Sequence, residues 1–325
     1  MRRLCAVTLG IVLLLSGCGD SAEPTTAKDK ITYLTAFGAV GRDAFAWVAE
    51  DKGYFRDAGL DVTIQLGAAT GENIKVLSAG QAQFANLDLT GTWILADKGE
   101  ARDMRAIAAI HQQTLVSIIT LEGSGITEPK QLEGRKLGAA TGSVNQLLFP
   151  AYAKLAGIDA SKVEWVNAPP AQLPALLASG RVDALSTFLI GVRGIEKAAG
   201  GKKAVVLPYS EFLPDLFGNG LIAPVSVIEG NPDLTRRFRD AALKGLQYTL
   251  DHPDEAAQIL KKAQPAADVT AAVGEITLMA PYVKPSGVID KSRVSQALAT
   301  LQSGGLIGSG LTPDAVVDFA MVPAG

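Results

Sequence analysis

The sequence predicts an α/β fold with two lobes around a cleft, and three patterns indicate it. From Ile31 onwards, short apolar runs alternate with amphipathic segments, as in proteins that pack helices on sheets. A segment that reads as helix, glycine, turn and strand recurs 100 positions later. The last third of the chain is predicted to be helical and needs a surface to cover, so we expect the chain to return to its first lobe.

The N-terminus reads as an export signal. Arg2 and Arg3 precede an apolar run at residues 9–15, which is too short to span a bilayer. Leu15-Ser16-Gly17-Cys18 follows and resembles the bacterial lipobox, in which the cysteine is lipidated and becomes the mature N-terminus. The alternative is an ordinary signal peptide with an incidental cysteine. We expect a signal peptide at 1–17, lipidation at Cys18, and a flexible linker over 18–30 that holds the protein on the extracytoplasmic face of a membrane, periplasmic or cell-surface.

Composition excludes several classes of protein. The formal charge is −3 with no basic run, so nucleic acid is not an expected partner. The chain has two cysteines: Cys5 leaves with the signal and Cys18 is the expected lipid acceptor. A disulfide framework, a cysteine-type zinc site and a cysteine nucleophile are therefore not expected. We predict no catalytic residue, no metal and no cofactor.

The first lobe begins with a predicted strand at 31–34, a helix at 43–50, a strand at 62–66 and a helix at 73–79. Gly53, Gly59 and Gly80 fall where these helices and turns should end. A strand ending at Asn86 follows, and the apolar run from His111 to Leu121 is predicted as the strand that leaves the lobe.

The recurring segments are residues 76–84 and 176–184. They predict two similar lobes, the alternative being coincidence between two common turns. Lobe 2 is predicted at 122–217, with a strand at 136–139 and a helix at 146–156. Lobe 1 is predicted at 31–121 plus 218–325, so the chain crosses twice and forms a two-strand hinge. Helices are expected at 232–250, 253–262, 267–280, 292–301 and 313–320, three of which begin at proline.

Four segments resemble one known family. Residues 51–62 (DKGYFRDAGLDV) are similar to the "KGYF…GL.V" segment of SsuA/Thi5-like (NMT1-type) substrate-binding proteins, the nitrate, sulfonate, taurine and thiamine-pyrimidine group. Residues 77–84, 132–138 and 177–184 match three further segments of that group. The resemblance covers about residues 31–260. It implies a type II periplasmic-binding-protein fold that encloses a small molecule by hinge closure and delivers it to an ABC permease, and we expect a monomer.

In lobe 1, the candidate ligand contacts lie in loops after strands, where the ends of α/β strands meet a cleft. Phe37 is a candidate for stacking on a flat ligand, and Arg42 and Asp43 for fixing its polar edge, although Asp43 also suits a helix cap and Arg42 a solvated position. His111 is a further candidate, with a structural role as its alternative. The lobe 1 candidates are Phe37, Gly38, Arg42, Asp43, Glu72, Asp88, Thr90, His111 and Gln112.

In lobe 2, the best motif is Ala140-Thr141-Gly142-Ser143-Val144-Asn145, between a strand and a helix. Its glycine allows close approach of a ligand and its hydroxyls lie beside helix-start N–H groups, although the same residues also suit a plain helix cap. Residues 167–170 and 186–188 are expected to complete the rim. The lobe 2 candidates are Thr141, Gly142, Ser143, Asn145, Thr187 and Phe188.

The preferred ligand is a thiamine-pyrimidine-precursor-like or other nitrogenous heterocycle. Phe37 and Phe188 would stack on it, and acidic side chains would pair with its amino groups. The segment from Asp183 to Phe188 resembles the thiamine-pyrimidine branch more than the sulfonate branch. Sulfonate, taurine or nitrate binding is the alternative.

Two other classes of protein are alternatives to a binding protein. The fungal pyrimidine synthase of the same fold family carries a cysteine-rich iron motif, which the mature part of this chain lacks. His252, the other histidine, begins a peripheral predicted helix. A lipid-anchored scaffold with no small ligand is the third class, and a closing cleft argues against it.

Overall fold

The computed structural model describes residues 28–324. The predicted signal peptide, Cys18 and nearly all of the predicted linker lie outside this range. The strands are β1 Asp29–Leu34, β2 Leu60–Gln65, β3 Phe84–Asp88, β4 Met104–Ala109, β5 Val116–Leu121, β6 Lys136–Ala139, β7 Glu164–Asn167, β8 Ala184–Phe188, β9 Ala204–Pro208 and β10 Asn219–Pro224.

The helices lie mainly between the strands in the first two thirds of the chain and follow one another in the last third. They are α1 Ala44–Asp51, α2 Tyr54–Asp57, α3 Thr70–Ser78, α4 Leu89–Asp97, α5 Val144–Leu155, α6 Leu173–Ala178, α7 Val192–Ala198, α8 Val225–Gly230, α9 Pro232–Asp251, α10 Pro253–Ala263, α11 Val269–Met279 and α12 Lys291–Ser303. No helix within residues 28–324 is long and apolar enough to cross a bilayer.

The strands form two five-stranded mixed sheets of the same design, which confirms the predicted two-lobed α/β fold class. The first sheet has the order β2-β1-β3-β10-β4 and the second β7-β6-β8-β5-β9. In each sheet four strands run in the same direction and one strand runs antiparallel to both of its neighbours. The antiparallel strands are β10 and β5. Along the chain, β5 is the first strand of the second sheet, and β10 is the strand that returns the chain to the first sheet.

The recurring sequence segment folds the same way twice. α3 and α6 end two residues before Gly80 and Gly180, which both have φ of +70°. In the first copy the Gln81 N–H donates to Val76 O over 3.1 Å, and in the second the Arg181 N–H donates to Leu176 O over 3.0 Å. The left-handed conformation favours glycine at both positions, so the internal repeat that the sequence predicts is confirmed.

The strand predicted from His111 to Leu121 is wrong in its first half. β5 begins at Val116 and belongs to the second sheet, so the chain leaves the first sheet in residues 110–115, before the predicted boundary at 121/122. It returns through residues 209–218. Backbone hydrogen bonds join the two crossings directly: the Thr114 N–H donates to Leu216 O over 2.7 Å and the Gly218 N–H to His111 O over 3.2 Å.

Helix α9 is fixed to the first sheet by aromatic stacking. The Phe238 ring lies 4.1 Å from that of Phe84, with 8° between their planes, and 5.6 Å from that of Phe55. All three rings are buried. Next to Phe238 in α9, the Arg237 guanidinium binds the Asp29 carboxylate over 2.8 Å. β1 therefore begins at Asp29, inside the segment predicted as linker.

The helix predicted at 313–320 is replaced by a single 3-10 turn at Pro313–Ala315. After this turn the chain pairs with the outer edge of β4: the Ala106 N–H donates to Val316 O and the Asp318 N–H to Ala106 O, both over 3.0 Å. Gly287 makes a similar two-way pairing with Ala109 on the same edge. Tertiary pairing thus takes the backbone groups that a helix would have used.

Candidate ligand-binding cleft

Loops of the first sheet, loops of the second sheet and helix α11 meet around a cleft with two adjoining chambers. The outer chamber measures about 560 Å³, within the range of small-molecule sites, and its lining is mostly apolar. The inner chamber measures about 20 Å³, which is room for about one water-sized group.

Three side chains separate the chambers and line both of them: Phe37, Arg42 and Phe188. The Arg42 guanidinium carbon lies 4.3 Å from the centre of the Phe188 ring and 5.6 Å from that of Phe37. The two rings meet edge to face with their centres 6.5 Å apart. Because Phe188 ends β8 in the second sheet while Phe37 and Arg42 follow β1 in the first, this cation–π contact joins the two halves of the cleft.

Asp88 ends β3 and points one carboxylate oxygen into helix α4. Its Oδ1 accepts from the Gly91 N–H over 2.8 Å, as a helix cap. Its Oδ2 has no hydrogen-bond partner among the described residues, and the side chain lines the inner chamber. Burial raises the pKa of Asp88 to about 7. The observed helix cap and the predicted ligand contact are therefore compatible in this one side chain.

Ser143 precedes helix α5 and lines the inner chamber from the side of the second sheet. Its Oγ is buried and has no hydrogen-bond partner in residues 28–324, so it does not cap the helix. The neighbouring Gly142 has φ of +68°, which turns the chain sharply between β6 and α5. Thr141 and Gly142 are exposed, whereas the Asn145 side chain is buried beneath the loop.

Asp43 orders the loop that carries Phe37. Its Oδ1 accepts from the Ala36 N–H over 2.9 Å and from Asn86 Nδ2 over 2.8 Å. Its Oδ2 lies 3.6 Å from Arg42 Nε. Burial raises the pKa of Asp43 although Arg42 acts in the opposite direction. Asp43 thus holds Arg42 and the loop in place rather than facing the open chamber.

Glu275 of α11 is a chamber residue that the sequence interpretation missed. It lines the outer chamber, and its Oε2 accepts from the Arg42 backbone N–H over 3.3 Å. Burial raises the pKa of Glu275 to about 7. The sequence does contain a signal that could identify this residue: Glu275 is the single charged residue between Val269 and Ala280. Asn219, the first residue of β10, was also missed and lines the inner chamber.

Gly38 and Thr187 line the outer chamber, as expected. Eight candidates line neither chamber: Asp43, Thr141, Gly142 and Asn145, described above, and Glu72, Thr90, His111 and Gln112. The Glu72 carboxylate is exposed and binds Lys75 over 2.8 Å. Gln112 Nε2 donates to Pro285 O over 2.7 Å, toward the C-terminal segment. Thr90 Oγ1 donates to Phe217 O over 2.8 Å, and thereby secures the return crossing.

His111, the last of these candidates, lies where the chain crosses between the two sheets. Its Nδ1 accepts from the Asn219 N–H over 3.4 Å. Burial lowers the pKa of His111 to about 3, and the imidazole is neutral at physiological pH. This geometry is that of a structural histidine.

The model of the NMT1/THI5-like family matches residues 43–256, which is more than half of the chain. The chain belongs to this family. The resemblance to SsuA/Thi5-like proteins is thereby confirmed. Glu275 lies beyond the matched residues, although it reaches the same cleft as residues within them.

Relatives of this NMT1/THI5-like chain extend over most of its length. A formylaminopyrimidine-binding protein from Halalkalibacterium halodurans is 24% identical over 267 residues, 82% of this chain and 80% of the relative. The riboflavin-binding protein RibY from Chloroflexus aurantiacus is 22% identical over 306 residues, 88% of this chain and 84% of the relative. The periplasmic nitrate-binding protein NrtA from Synechocystis PCC 6803 has the same fold, with a TM-score of 0.73 at 14% identity, covering 90% of this chain and 87% of that one.

These long matches are all to binding proteins. An enzyme, the 4-amino-5-hydroxymethyl-2-methylpyrimidine phosphate synthase THI11 from Saccharomyces cerevisiae, is 29% identical over 113 residues only, 34% of this chain and 33% of the enzyme. The comparisons therefore favour a binding protein over an enzyme, in agreement with the sequence.

Proposed function

We propose that the protein is an extracytoplasmic solute-binding protein of an ABC importer, and that its ligand is a flat nitrogenous heterocycle. The observation that carries the proposal is the cleft itself, in which two aromatic rings from opposite sheets border a chamber of about 560 Å³ that also holds a carboxyl group, Glu275. Aromatic rings suit a planar ligand, and buried carboxylates suit ring-bound amino groups.

The charges around the cleft argue against an inorganic or sulfonate anion. Arg42 is the cation between the chambers, and it already lies 3.6 Å from the Asp43 carboxylate and near Glu275. Asp88 adds a third carboxyl group. Arg42 is thus already opposed by an acidic group, so an anion would find little net positive charge, whereas carboxyl groups accept hydrogen bonds from the N–H groups of an amine. The similarity to a nitrate-binding protein extends to the fold alone.

The relatives support the same ligand class. Formylaminopyrimidine and riboflavin, named for two relatives that match over most of the chain, are both planar nitrogenous ring systems. An aminopyrimidine is small enough for the outer chamber.

We propose that ligand capture closes the two sheets together. On this proposal, the second lobe is residues 116–208, and the two crossings form the hinge in place of the predicted pair of strands. Helix α11 contacts both sides of the cleft: Glu275 meets the first, and Asp268, which caps α11, binds Lys197 of α7 over 2.6 Å. Contacts of this kind form when the cleft closes and separate when it opens.

We further propose a lipid anchor at Cys18, supported by the lipobox-like segment in the sequence. It would keep the monomeric binding protein close to its permease. Cys18→Ala is expected to release the protein from the membrane and leave ligand affinity unchanged, as measured by fractionation and titration calorimetry. Loss of affinity in the released protein would contradict a purely tethering role.

A thermal-shift panel tests the ligand class. The purified protein is heated with formylaminopyrimidine, riboflavin, taurine or nitrate, each titrated to high concentration. A ligand at 100 times its Kd stabilises the protein by about 2.7 kcal/mol, which raises Tm by several degrees. We expect a rise with at least one heterocycle and none with taurine or nitrate. A rise with the anions alone would refute the ligand class and leave the transport role intact.

A further inference from the structure

Three buried polar atoms on side chains that line the inner chamber have no hydrogen-bond partner in the described part of the chain. They are Asp88 Oδ2, Ser143 Oγ and Arg42 Nε. The three side chains are only 3%, 4% and 3% exposed. Buried polar groups are nearly always paired, so three unpaired ones around one small space indicate a group that completes them.

The size and polarity of the chamber define that group. About 20 Å³ admits a single non-hydrogen group and excludes a ring. Asp88 Oδ2 accepts hydrogen bonds when ionised, Arg42 Nε donates, and Ser143 Oγ does either. The chamber therefore suits an N–H donor that projects from a ring, with a hydrogen-bond acceptor next to it on the same ring edge.

We infer that the inner chamber is a specificity subsite for an exocyclic amino group of the ligand. The amino group donates to Asp88 and Ser143, and the adjacent ring nitrogen accepts from Arg42 Nε. The ring itself remains in the outer chamber against Phe37 and Phe188. This inference rests on the proposed heterocycle-binding function and narrows it to rings with an amidine-like edge, as in a 4-aminopyrimidine.

Asp88→Asn tests the inference because one carboxylate oxygen of Asp88 already accepts a hydrogen bond from the protein. Oδ1 accepts from the Gly91 N–H, and the asparagine oxygen keeps that cap. The amide NH₂ then takes the place of Oδ2, so an acceptor in the chamber becomes a donor. Helix α4 retains its cap while the polarity of the subsite is inverted.

The affinities of two probes, measured by titration calorimetry, test this inversion. The probes are 4-amino-2-methylpyrimidine and 2-methylpyrimidin-4-one, which carries a carbonyl oxygen in place of the amino group. We expect the wild-type protein to prefer the amino probe by about 10- to 100-fold, since a lost hydrogen bond to a buried charged group costs that much affinity. In D88N the preference should fall by at least tenfold or reverse. Ser143→Ala should weaken the amino probe by about 5- to 10-fold without lowering Tm.

A matched control is Asp290→Asn. Asp290 caps helix α12 with the same geometry, its Oδ1 accepting from the Arg293 N–H over 2.9 Å, but it does not line either chamber. D290N should leave the affinity for both probes unchanged. A uniform loss for both probes in D88N would show a structural role for Asp88 and overturn the inference.

Equal wild-type affinity for the two probes would also overturn the inference, since a resident water molecule would then suffice to fill the chamber. In either case the proposed heterocycle-binding function would stand. Failure of every pyrimidine and flavin to bind, with binding of an anion, would instead refute the proposed ligand class and the inference together.

Discussion

Replacing Phe188 with alanine should weaken ligand binding by about 30-fold. Phe188 ends β8, and its ring borders both chambers. Without the ring, about 50 Å² of apolar ligand surface loses its cover, worth about 1.2 kcal/mol at about 25 cal/mol per Å². The lost ring-to-ring contact adds about 1 kcal/mol. Together these effects are about 2 kcal/mol, which corresponds to about 30-fold in Kd.

Two further variants separate the sources of this loss. Phe188→Leu keeps apolar surface but lacks an aromatic face, so its ligand affinity should fall by about fivefold rather than 30-fold. Phe319→Ala is the matched control, because Phe319 is also half-buried beneath a cation, with Lys291 Nζ 5.2 Å from its ring, and lines neither chamber. Titration calorimetry with a heterocycle that passes the thermal-shift test measures all three. Unchanged affinity in F188A, or an equal loss in F319A, would refute the stacking role.

Three other predictions concern stability and are measured by urea denaturation. Because the pKa of Glu275 is raised from 4.5 to about 7 by burial, with Arg42 and Asp43 facing it, the folded protein holds a proton that the unfolded chain releases between these pH values. Glu275→Gln should therefore be little changed in stability relative to wild type at pH 4.5 and stabilised at pH 8, by up to about 3 kcal/mol; a gain that is independent of pH would contradict the assignment. Phe238→Ala should cost about 3–5 kcal/mol, since it removes the ring that joins α9 to Phe84 and Phe55, and a loss below 1 kcal/mol would show that α9 is held in other ways. Ser143→Ala should leave stability unchanged, whereas Asp290→Ala should lose about 1 kcal/mol, because Asp290 makes a capping hydrogen bond and Ser143 makes none in the described chain; equal losses would be the contrary result.

The local sequence pattern was sufficient to predict elements that depend on neighbouring residues alone. The two turns at Gly80 and Gly180 follow from a glycine between a helical run and a strand, and both have the left-handed conformation that this position favours. The helices that begin at Pro232 and Pro253 likewise start where proline is well tolerated.

Pattern was insufficient where distant chain segments compete for the same backbone groups. Residues 111–115 directly precede the apolar strand β5, but backbone groups of His111 and Thr114 bind the return crossing instead. Residues 316–318 belong to the helix predicted at 313–320, yet they pair with β4. In both places tertiary contacts override local preference, and a short window of sequence carries no information about those contacts.

The candidate site was partly predictable for the same reason. Phe37, Arg42, Asp88, Ser143 and Phe188 follow strand ends, so the general rule for α/β clefts finds them. Glu275 comes from a helix far along the chain, and only packing brings it to the cleft. Glu72 begins a helix in a suitable loop, but its side chain points to solvent and pairs with Lys75.

The outer edge of β4 has a consequence for self-association. Within residues 28–324, the backbone groups on that edge pair with Gly287 and with residues 316–318. Until they are in place, the first sheet presents free N–H and C=O groups, a template on which a strand from another molecule can pair. A chain truncated after α11 should therefore form intermolecular β-sheet rather than a soluble, less stable monomer. Gly287 and residues 316–318 are therefore expected to protect the first sheet from self-association.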